Sequence, residues 1–213
     1  MNIGHCGWAF ANEMTRVYHD IEWGVPVHDD RQMFEHLALE SLQCGLSWDL
    51  MLKKREIFRQ CFDHFEYDRI AAYTEDDVQR ILNTKGMLKS ESKIRAVIHN
   101  ARCYQKVREE FGSFCNYLWA YTDGKTIVYE GHAEGRVPVS NGLSDRISKD
   151  LKKRGFKYIG TITIYSHLQA CGMINDHDAE CPCFHQINGR YPVIHLEPDN
   201  EARMMTLRNI PEK

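Results

Sequence analysis

The sequence predicts an all-α fold. Apolar residues recur at helical spacing through most of the 213 residues, and residues that cap helices stand at the start of several of these segments. Strand-like patterns are short and few. A hydrophobic content of 43% in a chain of this length is enough to build a substantial core.

The first half of the chain contains four predicted helices. Asp29 precedes an apolar pattern that continues to Gln43, and Gly45 suits the end of this helix. Ser47 and Thr74 are placed as caps of the next two helices, and acids follow Thr74, where the helix dipole favours them. The predicted ranges are 30–43, 47–62, 74–83 and 91–110, with a glycine-containing loop at 84–90.

The second half is less regular. Helices are predicted over 113–121, 144–154 and 160–171, the last of them apolar on nearly every face. Residues 122–141 are predicted to form a long loop in which 126–129 is the strand-like piece. After His185 we expect irregular chain, and 191–196 either pairs as a strand or packs without pairing.

Composition narrows the possible classes of protein. The net charge of −3 argues against nucleic-acid binding by bulk charge alone, although local basic clusters occur at 53–55, 85–95 and 149–157. We find no apolar run of about 18 residues and no secretory signal, so we expect a cytoplasmic protein without membrane contact. In such a reducing compartment, the eight cysteines are expected to be buried thiols and metal ligands rather than disulfides.

Thiols and imidazoles occur near both ends of the chain. Cys6 and His19 lie near the start, and His177 and Cys181 stand four apart, a spacing that places both on one face of a helical turn. Two thiolates and two imidazoles suit tetrahedral Zn²⁺, and a closed set of four ligands indicates a structural metal. By spacing alone, the local set His177, Cys181, Cys183 and His185 is an equally good candidate.

A carboxylate and several aromatic residues form a second candidate site. Glu40 lies on the helix face that carries Phe34 and Leu37, and it is either solvated or turned into a pocket. Core packing is the commoner role of aromatic residues. If a metal holds the N-terminal segment against the rest of the chain, however, the rings would line one cleft. Such a cleft suits a flat, cationic base. The rings concerned are Trp8, Tyr18, Trp23 and Trp48.

The loop at 84–90 is a candidate phosphate-binding turn. Gly86 stands between two predicted helices, and Lys89 and Lys93 follow it. Backbone N–H groups at such a turn can bind phosphate. The pattern is weak by itself, because a helix–turn–helix connection has a glycine nearby about as often as not.

Several short motifs in order resemble the 3-methyladenine DNA glycosylase I family of the helix–hairpin–helix glycosylases. The resemblance runs from about residue 4 to 185, and the tail after Gln186 has no counterpart. The motifs that carry it are Cys6-Gly7-Trp8, Tyr18-His19-Asp20, Glu22-Trp23-Gly24-Val25-Pro26, Leu39-Glu40, Gly45-Leu46-Ser47-Trp48, Leu52-Lys53-Lys54-Arg55-Glu56, Lys152-Lys153-Arg154-Gly155-Phe156-Lys157, Gln169-Ala170-Cys171-Gly172 and Asn175-Asp176-His177.

The resemblance implies a two-lobed helical domain over 1–185, with a C-terminal extension of unknown role over 186–213. A structural zinc would join the two ends of the domain through Cys6, His19, His177 and Cys181. It further implies a base-recognition glutamate at Glu40, pocket rings at Trp8, Tyr18 and Trp48, and a DNA-binding hairpin around Gly86, Lys89 and Lys93.

The activity implied is hydrolytic excision of 3-methyladenine from alkylated double-stranded DNA by a monomer. No lysine stands just after the hairpin as an amine nucleophile, so we expect no strand cleavage. Thr15 occupies a place where the family often has a second pocket aromatic, which favours the alternative of a zinc-stabilised protein that binds nucleobases or DNA without catalysis. A second alternative is a metal-dependent hydrolase that uses the Cys/His site, although four saturating ligands argue against it.

Overall fold

A computed structural model describes residues 5–197 of the chain, and residues 1–4 and 198–213 lie outside this description. Helices dominate it, so the all-α prediction is confirmed, with two short strands added. The α-helices are α1 (Glu13–Ile21), α2 (Asp30–Gln43), α3 (Trp48–Cys61), α4 (Tyr67–Ala71), α5 (Glu75–Asn83), α6 (Glu91–Phe111), α7 (Phe114–Trp119), α8 (Gly142–Lys153), α9 (Thr161–Ala170) and α10 (Pro182–Arg190). The strands are β1 (Thr126–Tyr129) and β2 (Val193–Leu196).

The predicted caps begin their helices by satisfying free backbone N–H groups. Asp29 accepts a hydrogen bond from the backbone of Gln32 at the start of α2, and Ser47 accepts one from Leu50 at the start of α3. The predicted bounds of α2, α3, α5 and α6 therefore agree with the structure to within one residue. The prediction for α8 began too late, because Asn141 caps it and Ser144 completes a capping box inside its first turn.

The core forms where α2 packs against α6 and α9. Phe34 of α2 and Tyr104 of α6 are fully buried, with ring centroids 5.1 Å apart, and Phe114 of α7 stacks on Tyr104 at 4.1 Å. Burial on this scale stabilises a domain by roughly 25 cal/mol for each Å² of apolar surface. Since α2 is fixed on both sides, its C-terminal half is a rigid support for Glu40.

The N-terminal segment was not predicted to be helical, yet it contains a 3₁₀ turn at His5–Ala11 and the helix α1. Asn12 caps α1 by accepting a hydrogen bond from the backbone of Thr15, and the Thr15 hydroxyl accepts one from the Asn12 backbone. This reciprocal capping box places Tyr18 and His19 on a regular helix.

The prediction of irregular chain after His185 was wrong, because α10 continues to Arg190. Beyond it, β2 pairs in parallel with β1, so the strand alternative for 191–196 is confirmed. Ile187 and Leu196 are both buried. Residues 186–196 therefore belong to the folded unit, and the extension expected from 186 begins inside a helix.

Among residues 5–197, no helix combines the length and the apolar character that crossing a bilayer requires.

Candidate active site and metal centre

Glu40 is a buried carboxylate in the last turn of α2. It is 4% exposed, and its Oε2 atom has no hydrogen-bond partner among the described residues. Burial raises the pKa of Glu40 to about 8, because no cation compensates for the loss of water around the charge. A buried carboxylate without a partner destabilises the folded state. Such groups are typical of functional sites. The sequence left open whether Glu40 is solvated or turned inward, and the structure shows that it is buried.

Aromatic rings from α1 and α3 meet near Glu40. Tyr18 of α1 is buried, and its ring centroid lies 5.3 Å from that of Trp48, the first residue of α3. Burial and then the charge of Glu40 raise the pKa of Tyr18, so its hydroxyl stays protonated. Trp48 is half-buried, and its Nε1 has no hydrogen-bond partner within the described part of the chain. The predicted pocket residues are therefore brought together.

Trp8 and Trp23 extend the ring cluster away from Glu40. The Trp8 centroid lies 6.1 Å from that of Tyr18 and 5.2 Å from that of Trp23. Trp23 in turn packs edge-on against His177, with centroids 4.6 Å apart. Trp23 thus connects the pocket to the Cys/His cluster described next, a role that the sequence analysis did not assign to it.

Cys6, His19, His177 and Cys181 converge, with their four ligand atoms within 4.8 Å of one another. His19 Nε2 lies 3.1 Å from His177 Nδ1. His177 Nδ1 lies 3.7 Å from the sulfur atoms of Cys6 and Cys181, and His19 Nε2 lies 3.8 Å from that of Cys181. Tetrahedral zinc bonds would set these edges at about 3.3 Å for two nitrogens and about 3.6 Å for sulfur and nitrogen. This donor set therefore fits a tetrahedral metal ion.

The remaining ring nitrogens of both histidines are also engaged. His19 Nδ1 lies 2.9 Å from Asp20 Oδ1, and His177 Nε2 lies 3.1 Å from the carbonyl oxygen of Trp23. Such outer contacts fix the tautomer of a ligating histidine and orient its ring. Each histidine therefore presents its free nitrogen to the centre of the cluster.

The loop that carries His177 is held in place by the buried Asp176. Its carboxylate lies 2.7 Å from His132 Nδ1 and accepts hydrogen bonds of 2.7 Å from Tyr165 and Gln169. These contacts fix the loop against α9 and against the segment after β1. The sequence analysis missed His132 and Tyr165, because nothing in their spacing links them to residue 176.

The helical spacing proposed for His177 and Cys181 was wrong. His177 lies in an irregular loop, and Cys181 is the N-cap residue of α10. The structure does not bring Cys183 and His185 into one group of ligand atoms with His177 and Cys181. Cys183 faces the backbone carbonyls of His19 and Asp20, and His185 is exposed.

Comparison with known proteins identifies this arrangement. Residues 8–185 match the family model described as "Methyladenine glycosylase". The chain belongs to the methyladenine glycosylase family. The DNA-3-methyladenine glycosylase 1 of Escherichia coli is 41% identical over 179 residues, which cover 84% of this chain and 96% of that protein. The Haemophilus influenzae DNA-3-methyladenine glycosylase is 36% identical, with 84% and 96% covered.

Solved structures of the family share the fold. A Staphylococcus aureus 3-methyladenine DNA glycosylase I, solved to study 3-methyladenine recognition, has a TM-score of 0.78 at 36% identity, covering 83% of this chain and 94% of that one. A tyrosine-to-phenylalanine variant of a 3-methyladenine DNA glycosylase I, solved in complex with 3-methyladenine, gives 0.79 at 35% identity, covering 85% and 97%.

In this family member, a tight loop joins α5 to α6. Gly86 has a φ of +86°, a conformation that favours glycine, and a Cβ atom there would also force the end of the Ile57 side chain, 2.7 Å away, to move. Lys89 donates hydrogen bonds to the carbonyls of Leu82 and Thr84. The loop is therefore tied back to the end of α5.

Lys93 connects the loop region to the pocket helix. Its Nζ donates hydrogen bonds of 2.7 and 2.6 Å to the carbonyls of Leu42 and Cys44, at the C-terminal end of α2. Cations favour this end of a helix. Lys93 thus fixes the start of α6 beside the end of the helix that carries Glu40.

Thr15, which departs from the family pattern, has a structural role here. It is buried, and its hydroxyl donates hydrogen bonds to the backbone carbonyls of Asn12 and Ala9, so it stabilises the start of α1. Asp49, in the first turn of α3, accepts hydrogen bonds of 2.6 Å from Asn12 and from Lys53. Asp49 therefore joins α3 to the cap of α1.

Proposed function

We propose that the protein is a DNA glycosylase that excises 3-methyladenine from alkylated double-stranded DNA by hydrolysis. The observation that carries this proposal is the buried Glu40, which lacks a partner within the described residues and lies beside Tyr18 and Trp48. Family membership and the activity named for the relatives support the same conclusion.

Binding requires the damaged nucleotide to leave the duplex. Flipping costs a few kcal/mol, and it costs less for a damaged base. The flipped base would stack on Trp48, with Tyr18 and Trp8 closing the pocket. The half-buried positions of Trp8 and Trp48 suit them to this role, because part of each ring is available to a ligand. Stacking on an aromatic ring contributes roughly 1–3 kcal/mol per base.

Glu40 would provide selectivity for the damaged base. Its raised pKa leaves it mostly protonated at neutral pH in the free protein. A positively charged 3-methyladenine favours the carboxylate form, which also accepts a hydrogen bond from the exocyclic N–H of the base. Neutral adenine offers no such charge compensation, so it would be bound less tightly in the same pocket.

The chemical step needs little assistance because the cationic base is a good leaving group. The bond between the base and the sugar C1′ breaks, the electron pair stays with the base, and a water oxygen bonds to C1′. The proton of that water passes to Glu40 or to solvent. No amine of the chain becomes bonded to C1′, so the strand stays intact.

The Cys/His cluster would hold one structural zinc ion. Four protein ligands saturate a tetrahedral ion, so the metal would cross-link the 3₁₀ turn, α1 and the start of α10 without binding water. By holding Cys6 and His19, it keeps the neighbouring Trp8 and Tyr18 at the pocket. The distances and the outer contacts of both histidines support this assignment.

We further propose that α5, its loop and α6 form the helix–hairpin–helix element, with Gly86, Lys89 and Lys93 at the DNA backbone. The two-lobed arrangement stays a prediction.

A second basic surface surrounds a cleft of about 570 Å³ that is lined by Lys149, Lys152 and Lys153 of α8. Because one chain supplies every pocket residue and metal ligand, we propose that a monomer acts.

The decisive experiment measures free 3-methyladenine released from methylated duplex DNA. The native chain should release the base and leave the strand intact, and Glu40→Gln should release about 10- to 100-fold less, because a hydrogen bond to a charged group contributes roughly 1.5–3 kcal/mol. Glu56→Gln, which changes an exposed acid on α3, is the matched control and should behave as the native protein.

The alternative of a binding protein without catalysis makes a different prediction. A folded, metal-loaded native chain would then bind methylated DNA and release no base. Strand cleavage in a purified preparation would contradict the monofunctional mechanism. Loss of release on exchange of the metal, with the fold intact, would favour the metal-dependent hydrolase.

A further inference from the structure

Most of the unpaired polar atoms in the core lie on two histidines and on Glu40. Among residues 5–197, seven buried side-chain nitrogen and oxygen atoms have no hydrogen-bond partner. His36 and His167 each contribute two of the seven and Glu40 contributes one, and none of these residues is more than 4% exposed. A buried polar atom without a partner destabilises the folded state, so these five atoms call for an explanation.

His36 and Glu40 lie one turn apart on α2, which is helical from Asp30 to Gln43. Helical residues four apart lie on the same side, with their Cβ atoms roughly 5–6 Å apart. Side chains on a helix lean towards its N-terminus, so we expect the Glu40 carboxyl group to lie over the turn that carries His36. One water molecule with two hydrogen bonds of about 2.8 Å each would span a gap of this size.

The His36 ring also faces an ion-pair network. His36 Nε2 lies 3.3 Å from Glu22 Oε1, and Arg55 donates two hydrogen bonds of 2.7 Å to the Glu22 carboxylate. Arg55 and Arg59 also donate to Glu35. Burial by itself would raise the pKa of Glu22, but the hydrogen bonds and the charge of Arg55 lower it. An ionised carboxylate beside Nε2 favours the tautomer with the proton on Nε2, which leaves Nδ1 as an acceptor.

His167 borders the same interior from α9. Cys44 Sγ, at the end of α2, lies 3.7 Å from Thr163 Oγ1 in the first turn of α9. His167 follows one turn after Thr163, on a helix that packs against α2. Burial, and then the charge of His36, lowers the pKa of His167 to about 3, so the ring is neutral near pH 7.

The groups that face Glu40 itself are weak acids. Burial raises the pKa of Tyr18 and that of Cys171, and the charge of Glu40 adds to both effects. Both groups therefore stay uncharged at neutral pH. Neither of them is a hydrogen-bond partner of Glu40 Oε2.

We infer that His36 is a positioning residue for Glu40, joined to Glu40 Oε2 by ordered water enclosed between α2 and α9. A protonated Glu40 would donate to this water, which donates to His36 Nδ1. Once Glu40 ionises, the water would donate one hydrogen to Oε2 and the other to Nδ1. Buried water commonly satisfies polar groups in this way. A donor to the charged form favours ionisation, so Glu22 and Arg55 would support the Glu40 carboxylate through His36.

The first test follows the ionisation of Glu40 in the free, full chain by ¹³C NMR of its carboxyl group. His36→Leu removes the link with an apolar side chain of similar size, and His36→Gln keeps a polar group there. The acid dissociation constant of Glu40 should fall about tenfold or more in His36→Leu, since a hydrogen bond to a charged group is lost. It should stay close to the native value in His36→Gln. Leu39→Met, which changes a buried side chain of the same helix, is the matched control and should leave the constant unchanged.

A second measurement needs no variant. ¹⁵N NMR of the native chain should show the His36 proton on Nε2, with Nδ1 unprotonated. The effect on catalysis rests on the proposed function. His36→Leu should shift the rise of kcat/KM for methylated DNA to higher pH by about one pH unit or more. A packing defect would instead lower kcat/KM at every pH.

Equal dissociation constants of Glu40 in the native and His36→Leu chains would overturn the inference. So would an equal change in Leu39→Met, or a native His36 ring that carries its proton on Nδ1. Both NMR measurements use the free protein, so they are independent of base release. A native chain that shows the expected Glu40 titration and releases no 3-methyladenine would support the link to His36 and contradict the proposed function.

Discussion

His19 Nε2 lies 3.1 Å from His177 Nδ1, although 158 residues separate the two histidines. Their contact joins α1, near the start of the chain, to the loop before α10. Cys6 and Cys181 complete the cluster from the same two regions. Trp8 and Tyr18, the proposed pocket residues, are neighbours in sequence of Cys6 and His19, so the geometry of the proposed pocket would depend on the contact between these two regions.

Metal binding should depend on Cys181 and not on its neighbour Cys183. Cys181→Ser removes a ligand, so we expect zinc content measured by mass spectrometry to fall from one ion per chain. The melting temperature should fall by several degrees or more. Cys183→Ser is the matched control and should keep the ion, because its sulfur faces backbone carbonyls. Equal zinc content in both variants would refute the assignment.

The activity should rise with pH through the pKa of Glu40. The carboxylate is the form that binds the cationic base, and burial places its pKa at about 8 in the free protein. The logarithm of kcat/KM for methylated DNA should therefore increase between pH 6 and about 8 and then level off. Glu40→Gln should lack this rise. A flat profile for the native protein would argue that Glu40 is ionised throughout.

Affinity for the free base should depend on the ring of Trp48. Trp48→Ala should weaken binding of 3-methyladenine by about 5- to 100-fold, since stacking contributes roughly 1–3 kcal/mol per base. Trp48→Phe should retain most of the affinity, because a smaller ring still stacks. Calorimetric titration of both variants checks this, and equal weakening by Phe and Ala would mean that stacking is not the interaction involved.

Acid should destabilise the fold through two buried histidines. Burial lowers the pKa of His36 to about 4 and that of His167 to about 3. His36 Nε2 lies 3.3 Å from Glu22 Oε1 without hydrogen-bond alignment, and both ring nitrogens of His167 lack partners among the described residues.

Below pH 6.5 the unfolded chain therefore binds more protons at these two positions than the folded chain does, and stability falls as pH falls. Above pH 7 they have no effect. Between pH 7 and pH 5, the free energy of unfolding of the native chain should fall by about 1–2 kcal/mol more than that of His167→Phe. Urea unfolding at the two pH values measures this difference. His185→Gln, at an exposed position, should follow the native curve. An unchanged slope in His167→Phe would exclude this cause.

DNA binding should respond to salt through the lysines of α8. Replacing Lys149, Lys152 and Lys153 by Gln should reduce the slope of log affinity against log salt by about 0.9 for each phosphate contact that is lost. Arg69→Gln is a control at the exposed surface of α4. An unaltered slope in the triple variant would mean that the lysines of α8 make no phosphate contact, which would leave the proposed contacts of the loop between α5 and α6.

The sequence by itself determined the local structure of most helices. Asp29 and Ser47 fix where α2 and α3 begin, because each accepts a hydrogen bond from a backbone N–H group in the first turn of its helix. At the start of α5, the Asp77 carboxylate accepts a hydrogen bond from the backbone N–H of Thr74. Such contacts span only three residues, so they can be predicted without the rest of the chain. The resemblance to a family, carried by short motifs, likewise depended on residues that are close in sequence.

Tertiary structure alone decided the positions that depend on distant partners. Burial of Glu40, and with it the raised pKa, results from the tertiary packing of α2, which lies against α6 and α9. The choice of Cys6 and His19 over Cys183 and His185 required the two ends of the domain to meet. The network around Asp176 and the pairing of β1 with β2 are also long-range. These features arise from packing between segments far apart in the chain, which the local sequence pattern does not encode.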